Sequence, residues 1–189
     1  MTVRLELICH APTVGTRRAE FAANQPMDEH AKDDARRLAA SDRFLERARR
    51  AVVVRGPSPA CVGTAAALTL EAASEDALAD WNLGAWRGRT LDEVHRERPG
   101  DVLAWLTDPT AIPHGGESLE QLHDRVSAWL DSIVGHPGRV IAVTPPALIR
   151  AAVVHVLSAP IHSFWRVDVD PLSITRLSGR ERRWTLNLR

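Results

Sequence analysis

Residues 4–13 read Arg-Leu-Glu-Leu-Ile-Cys-His-Ala-Pro-Thr, and this stretch decides the fold of the chain. Its first half alternates and then turns fully apolar, which predicts a buried β-strand. The strand stops at His10, which is followed by small and turn-forming residues. Ligands of α/β sheets bind beyond the carboxyl ends of the strands, so His10 lies where a functional residue is expected. A buried structural histidine is the alternative interpretation.

The composition indicates an ordinary globular protein without an overall charge. The chain has 189 residues, of which 44% are hydrophobic, enough for one domain with a sizeable core. Its 24 basic and 24 acidic residues give a formal net charge of zero, so no global field attracts nucleic acid or an anionic membrane. Two cysteines fit a reducing compartment, and no apolar run resembles a signal peptide or a membrane span. We therefore expect a single cytoplasmic domain over residues 1–189.

Further apolar patterns predict an α/β fold with a mostly parallel central sheet and helices on both faces. Two compact apolar runs, residues 51–54 and 138–144, are typical of buried parallel strands, and each leads into a turn and a helix. Residues 14–26 lack periodicity and predict a long loop. The remaining helices are expected over 28–40, 42–49, 90–106 with a break at Pro99-Gly100, and 119–133, and the tail is expected to form strands over 164–170, 172–177 and 183–188.

The opening stretch resembles the first motif of the histidine phosphatase superfamily, the phosphoglycerate mutase-like proteins. In that family the first strand ends in Arg-His-Gly or Arg-His-Ala. Here Cys9-His10-Ala11-Pro12-Thr13 keeps the histidine, whereas Cys9 replaces the arginine. The resemblance implies that His10 is the nucleophile and that the following loop wraps the substrate site. Arg17 and Arg18 in that loop face either a phosphate or the solvent.

Two later segments also resemble motifs of this family. Ser58-Pro59 matches the start of Ser-Pro-x-x-Arg-Ala, with Ser58 as a good N-cap, but the phosphate-binding arginine falls on Val62. Residues 78–88 match the segment in which a carboxylic acid protonates the leaving group, and that acid falls on Asp80. A loop or capping aspartate is the alternative interpretation of Asp80.

The fourth and fifth motifs complete the resemblance, which runs from about residue 4 to about residue 188. Glu117-Ser118 resembles the family's Gly-Glu-Ser and either caps the following helix or touches substrate. The second catalytic histidine falls on Pro145, while Ile149-Arg150 keeps the register of that motif. The resemblance places the catalytic residues at His10 and Asp80 and the substrate pocket at Cys9, Thr13, Arg17, Ser58, Val62, Glu117 and Pro145.

Three pocket positions therefore lack the family's phosphate-binding side chains. In the family, two arginines and the second histidine bind the phosphoryl oxygens while the first histidine accepts the phosphoryl group. Proline has neither a titratable side chain nor a backbone N–H, so Pro145 cannot take over that role. Substitute cations near the motifs are Arg17, Arg18, Arg55, Arg87 and His114.

These observations leave two hypotheses for the function. The chain is either a divergent phosphomonoesterase that acts through His10, most similar to the small α-ribazole phosphatase-like members, or a non-catalytic ligand-binding or regulatory pseudoenzyme. We favour the second, with a phosphate ester or a less charged small molecule as the ligand, no metal or cofactor, and a homodimer as a possible assembly. Cys9 and Cys61 form either a redox or soft-metal pair with His10 or two small apolar fillers of the core.

Overall fold

A computed structural model describes residues 2–40, 42–135, 137–181 and 183–188. One sheet of six strands runs through this part of the chain. Its order is β3-β2-β4-β1-β5-β6, so the opening strand lies inside the sheet. The strands are β1 (Val3–Cys9), β2 (Val52–Arg55), β3 (Ala73–Ser74), β4 (Gly138–Thr144), β5 (Ile174–Arg180) and β6 (Arg183–Asn187).

The four strands from β3 to β1 run parallel to one another, whereas β5 and β6 are antiparallel additions at the far edge. Cys9, the last residue of β1, lies opposite Thr144, the last residue of β4. The carboxyl ends of these two strands therefore meet at one edge of the sheet. The predicted mostly parallel sheet is confirmed.

Eight helices and three short 3₁₀ turns are described. Residues 59–67 form a helix that begins at Pro59, because Ser58 caps its N-terminus and proline suits its first position. The helices are α1 (Val14–Arg17), α2 (Ala31–Ala39), α3 (Asp42–Arg49), α4 (Pro59–Ala67), α5 (Leu91–Glu97), α6 (Pro99–Thr107), α7 (Leu119–Val134) and α8 (Pro146–Val156), and the 3₁₀ turns are Asp76–Leu78, Gly84–Trp86 and Ile161–Arg166.

Successive side chains of the central strands pack into two separate cores, one on each face of the sheet. On β1, Leu7 belongs to the core that contains Leu122 of α7 and Ile149 of α8. Ile8 points the other way, into the core that contains Ala35 of α2 and Ala65 of α4. Helices therefore cover both faces, and the predicted three-layer architecture is confirmed.

The prediction of a strand over residues 164–170 is wrong. The chain forms the 3₁₀ turn Ile161–Arg166 there and continues without regular structure. Both edges of β1 are occupied, by β4 and by β5, so this segment cannot pair with the opening strand. Its apolar alternation instead serves packing, since Phe164 is buried in the main core.

Two helix boundaries also differ from the predictions. The loop predicted over 14–26 begins with the short helix α1, which Thr13 and Thr16 start through a capping box. The helix predicted from residue 28 begins at Ala31, because the Asp28 carboxylate accepts the backbone N–H of His30 and closes a turn first.

Within residues 2–40, 42–135, 137–181 and 183–188, no helix has the length and apolar character needed to cross a lipid bilayer.

Candidate active site

A cavity of about 610 Å³ opens beyond the carboxyl ends of β1, β2 and β4. Each of these strands supplies the cavity wall with the residues that follow it: His10 after β1, Ser58 after β2, and Pro146 with Ala147 after β4. This is the edge of the sheet where α/β folds bind their ligands. Thr13 and Asp80 line the same cavity.

The imidazole of His10 is held in one tautomer. It is 8% exposed, and Nδ1 lies 2.7 Å from the carbonyl oxygen of Ala11. A carbonyl oxygen only accepts hydrogen bonds, so Nδ1 carries the hydrogen and the neutral ring keeps its lone pair on Nε2. The backbone N–H of His10 donates to Thr144 O at 3.0 Å, which ties this residue to β4. The ring is thus arranged as a nucleophile or a hydrogen-bond acceptor.

Asp80 is a partly buried carboxyl group whose pKa is raised above its ordinary value. Burial raises its pKa, and this effect is opposed in turn by His10, by the N–H of Trp81 and by Arg125. Oδ1 accepts the backbone N–H of Trp81 at 2.8 Å. A carboxyl group with a raised pKa beside a histidine can donate a proton to a leaving group.

Arg125 of α7 fixes the segment that leads to Asp80. Its guanidinium donates two hydrogen bonds of 2.8 Å to the carboxylate of Glu117, and Nη1 donates to Ala77 O at 2.7 Å and Ala79 O at 3.0 Å. The Glu117 side chain is therefore engaged with Arg125, and Glu117 does not line the cavity. Ser118 caps α7 in a reciprocal pair with Gln121.

The segments that contain Asp80 and Glu117 contact each other through their backbones. Glu117 N donates to Asn82 O at 2.7 Å and Ala85 N donates to His114 O at 2.9 Å. A Cβ atom on Gly84 or Gly116 would overlap the carbonyl oxygens of the facing segment, so only glycine allows this approach. The contact holds Trp81 and Asp80 at the cavity.

Two of the predicted pocket residues, Ser58 and Thr13, line the cavity. Ser58 Oγ accepts the backbone N–H of Cys61 at 3.3 Å at the start of α4. Thr13 Oγ1 accepts the backbone N–H of Thr16 at 3.1 Å at the start of α1. Both hydroxyl groups are thereby used within the fold.

None of the three described residues that replace the family's phosphate ligands lines the cavity. Cys9 is buried, and burial, followed by the influence of Cys61 and Asp80, raises the pKa of its thiol to about 12, so the group is neutral. Val62 is 42% exposed on α4. Pro145 is buried at the start of α8, where it offers no side-chain cap.

Most of the predicted substitute cations contact other groups of the protein and do not line the cavity. Arg17 pairs with Asp28 and is 57% exposed, and Arg18 reaches Glu20 at 3.7 Å. Arg55 donates to Gly56 O at 3.1 Å. His114 packs against Trp86 at 5.2 Å between ring centroids, and burial lowers its pKa, so it stays neutral.

Arg87 lines a smaller neighbouring cavity of about 250 Å³, which shares Ser58, Asp80 and Trp81 with the larger one. Among the described residues it is the one predicted substitute cation that lines either cavity.

Arg150 is the cation that the prediction missed. It lies on α8 one turn after Pro146, and both residues line the larger cavity. Their i, i+4 spacing was the available signal, because residues four apart on a helix share a face.

Sequence reasoning also missed a set of rings that we call the aromatic wall. Neighbouring ring centroids in this set lie 4.6–5.5 Å apart. All of its members line the cavity: Phe21, Trp81, Trp105, Phe164 and Trp165. They come from distant segments, so no local pattern joins them.

Cys9 and Cys61 are free thiols that belong to the cores on opposite faces of the sheet. Burial raises the pKa of the Cys61 thiol, like that of Cys9, to about 12. In the described part of the chain, no cluster of three or more histidine, cysteine or acidic side chains suits a metal ion. These features favour the interpretation of both cysteines as small apolar fillers.

The sheet order, the cavity at its carboxyl edge and the histidine after β1 define the class of histidine phosphatase folds. A family model described as histidine phosphatase superfamily, branch 1, matches residues 5–189, and the chain belongs to this superfamily. The resemblance seen in the sequence is thereby confirmed.

Among curated relatives, phosphoserine phosphatase 1 of Hydrogenobacter thermophilus is 29% identical over 122 residues, which cover 63% of this chain and 58% of that protein. A glucosyl-3-phosphoglycerate phosphatase of Mycolicibacterium vanbaalenii is 32% identical over 116 residues, covering 56% of this chain and 51% of that protein. In both alignments the chain spans little more than half the length of its relative.

Solved structures agree with the fold. A mycobacterial glucosyl-3-phosphoglycerate phosphatase in complex with VO3 is similar at a TM-score of 0.82 and 25% identity, covering 97% of this chain and 96% of that chain. The α-ribazole phosphatase from Shigella flexneri is similar at a TM-score of 0.82 and 20% identity, covering 97% and 94%. The phosphoglycerate mutase-like fold predicted from the sequence is confirmed.

Proposed function

We propose that this protein is a ligand-binding member of the histidine phosphatase superfamily that hydrolyses phosphate esters weakly or not at all. One observation carries the proposal: the positions that bind the phosphoryl oxygens in the resembled family hold Cys9, Val62 and Pro145, and none of them lines the cavity. Arg150 is the one arginine or lysine among the described residues that line the larger cavity. The wall around it is mainly apolar and aromatic, which suits a small organic ligand.

The size of the missing interactions supports weak catalysis. A hydrogen bond to a charged group contributes about 1.5–3 kcal/mol, and removing one preorganised oxyanion donor costs about 10²–10³ in rate. Phosphoryl transfer depends mostly on positioning and charge stabilisation, so the loss of three such groups removes most of the rate enhancement. Their effects do not simply add, but each acts on the same transition state.

A second candidate, an active phosphomonoesterase in which other cations compensate for the missing ones, is supported by His10 and Asp80. In that reaction Nε2 of His10 attacks phosphorus, the bond from phosphorus to the leaving oxygen breaks, and the proton of Asp80 passes to that oxygen. Water then hydrolyses the phosphohistidine. The tautomer of His10 and the raised pKa of Asp80 suit these roles.

The test is turnover of p-nitrophenyl phosphate by the wild type and by His10→Ala. We expect both to remain at the background rate. A wild-type kcat in the ordinary range of enzymes, about 1 s⁻¹ or more, that His10→Ala abolishes would contradict the ligand-binding proposal and establish the active phosphomonoesterase.

A variant that restores the family's side chains provides the matched comparison. This restored variant combines Cys9→Arg, Val62→Arg and Pro145→His. It is compared with a second variant that also carries His10→Ala. We expect the restored protein to gain turnover that depends on His10. Thermal unfolding checks that the restored protein folds; if it does not, the comparison of wild type with His10→Ala decides alone.

We also propose that the partner is a small molecule and that the protein works in the cytoplasm. The two free, buried thiols support a reducing compartment. The homodimer expected from the sequence stays a prediction.

A further inference from the structure

Three buried hydrogen-bond donors on the cavity wall have no partner in the described part of the chain. They are Nε of Arg150, Nε1 of Trp105 and Nε1 of Trp165. The only two other orphaned buried side-chain atoms found there, on His114 and Trp184, belong to residues outside the cavity wall. Buried donors in folded proteins nearly always have an acceptor. These three atoms lie beneath the surface of the wall, so a ligand reaches Arg150 through the rest of its side chain, which is 32% exposed.

The charge of Arg150 is also poorly compensated. The nearest carboxylate described is that of Asp168, with 3.8 Å between Nη2 and Oδ1, and the Asp168 side chain is 95% exposed. An ion pair of this kind in water contributes little. The guanidinium carbon lies 5.8 Å from the centroid of the Phe164 ring, so Arg150 is placed beside the aromatic wall.

Other charged groups of the cavity do not supply the missing partner. Glu20 faces Arg18 at 3.7 Å and accepts from Gln25 Nε2 at 3.3 Å. The Asp80 carboxyl is held by the N–H of Trp81. Arg150 therefore presents to the cavity a positive charge whose one described ion pair is long and solvent-exposed.

We propose that Arg150 binds the carboxylate of a small aromatic acid whose ring lies against the aromatic wall. This assignment deepens the proposed ligand-binding function and rests on it. A guanidinium is planar and matches a carboxylate with two parallel hydrogen bonds. The rings of Trp105 and Trp165, whose centroids lie 4.6 Å apart, offer an apolar surface for the ring of the ligand.

The charge count favours a carboxylate over a phosphate. A carboxylate carries one negative charge, which Arg150 balances. A phosphate monoester carries nearly two negative charges at neutral pH, and the described residues of this cavity provide no second arginine or lysine. A neutral amide would leave the charge of Arg150 without a partner.

The test uses three probes with one ring system and different head groups: 2-naphthoate, 2-naphthamide and naphthalene-2-phosphonate. Their Kd values are measured by isothermal titration calorimetry. We expect 2-naphthoate to bind the wild type about tenfold or more tightly than the other two, as the strength of a charge-assisted hydrogen bond predicts.

Substitutions then assign the preference to Arg150. Arg150→Gln should weaken 2-naphthoate about tenfold or more and leave 2-naphthamide nearly unchanged, because only the charged bond is lost. Arg150→Lys should recover part of the affinity, since it keeps the charge and loses the planar fork. Arg166→Gln is the matched control, because Arg166 is exposed next to Trp165 and does not line the cavity.

Each other outcome overturns the inference. If the phosphonate binds more tightly than 2-naphthoate, the cavity prefers a phosphate-like group. If all three probes bind equally and Arg150→Gln does not change their Kd values, the cavity recognises the ring alone. If no probe binds up to the limit of its solubility, an aromatic acid is not the ligand. Trp165→Phe, which reduces the ring surface of the aromatic wall, provides a second readout if Arg150→Gln does not fold, and it should weaken 2-naphthoate and 2-naphthamide alike. The phosphatase assays are independent of these titrations, so failure of this inference and failure of the proposed function are distinguishable.

Discussion

His10 and Asp80 illustrate how neighbouring groups set the chemical state of a single side chain. The Ala11 carbonyl holds the hydrogen of His10 on Nδ1. Burial favours the neutral form of Asp80 more than His10 and the N–H of Trp81 favour the charged form. The site therefore places a ring nitrogen with a free lone pair and a carboxyl group with a raised pKa in one cavity.

Asp80→Asn should make the protein more stable near neutral pH. The pKa of Asp80 is raised on folding above its ordinary value of 3.8, so the folded state binds more protons than the unfolded state above that pH. Stability therefore falls as the pH rises from about 3.8 towards the folded pKa. Asparagine lacks this ionisation, and its side-chain oxygen still accepts the N–H of Trp81.

Urea unfolding at several pH values measures this effect. The gain in free energy of unfolding should be present at pH 7 and vanish below about pH 3.8, where both states of the wild type are protonated. A gain that is independent of pH, or a loss at pH 7, would be inconsistent with a raised pKa.

At the scale of elements, Arg125 joins α7 to the 3₁₀ turn that precedes Asp80. Its side chain is 24% exposed, and it bonds Glu117 and two carbonyl oxygens at once. A side chain shared by a helix, a loop and a turn fixes their relative positions.

Arg125→Gln should lower the free energy of unfolding by roughly 2–4 kcal/mol, because it leaves Glu117 and two carbonyl groups without their donor. Urea denaturation measures the change. Arg96→Gln on the exposed surface of α5 is the control and should change stability by less than about 0.5 kcal/mol. Equal effects of the two substitutions would argue against the role of Arg125.

A second link joins β1 to α3 and β4 through Glu6. This carboxylate is 4% exposed and lies 3.0 Å from Arg47 and 2.8 Å from Arg139. Both arginines are partly exposed, so solvent reduces the strength of the pairs.

Glu6→Gln should destabilise the protein by roughly 1–3 kcal/mol, since it leaves two arginines without a counter-charge beside a core strand. Thermal and urea unfolding measure this loss. The exposed Glu71→Gln is the matched control. If Glu6→Gln unfolded at the same urea concentration as the wild type, the pairs would contribute nothing.

At the scale of the whole molecule, the two thiols report on the integrity of both cores. Cys9 and Cys61 are 1% and 0% exposed and lie in the cores on opposite faces of the sheet. Because the thiolate is the reactive form, a pKa of about 12 makes each thiol inert in the folded state.

Titration with Ellman's reagent at pH 8 should therefore find no rapidly reacting thiol in the native protein and two in urea. The slow native reaction should follow the rate of opening of the cores, which hydrogen exchange measures independently. One rapidly reacting thiol in the native protein would revive the hypothesis of a redox site.

Local sequence patterns were sufficient to predict the central strands and the positions of the motifs, although the strand predicted over 164–170 was wrong. Alternation and apolar runs are local patterns, so β1 and β4 and the turns after them were predictable from neighbouring residues. The resemblance gave His10 and Asp80 their positions, and both line the cavity. The absence of charge at residues 9, 62 and 145 was also visible in the sequence.

Only the tertiary structure decided what surrounds those residues. In the folded chain Arg17 pairs with Asp28, and Glu117 pairs with Arg125. Arg150 lies beside the aromatic wall. The members of that wall are up to 144 residues apart, between Phe21 and Trp165. Contacts of this kind depend on how helices and loops pack over the sheet, and no pattern confined to neighbouring residues encodes them.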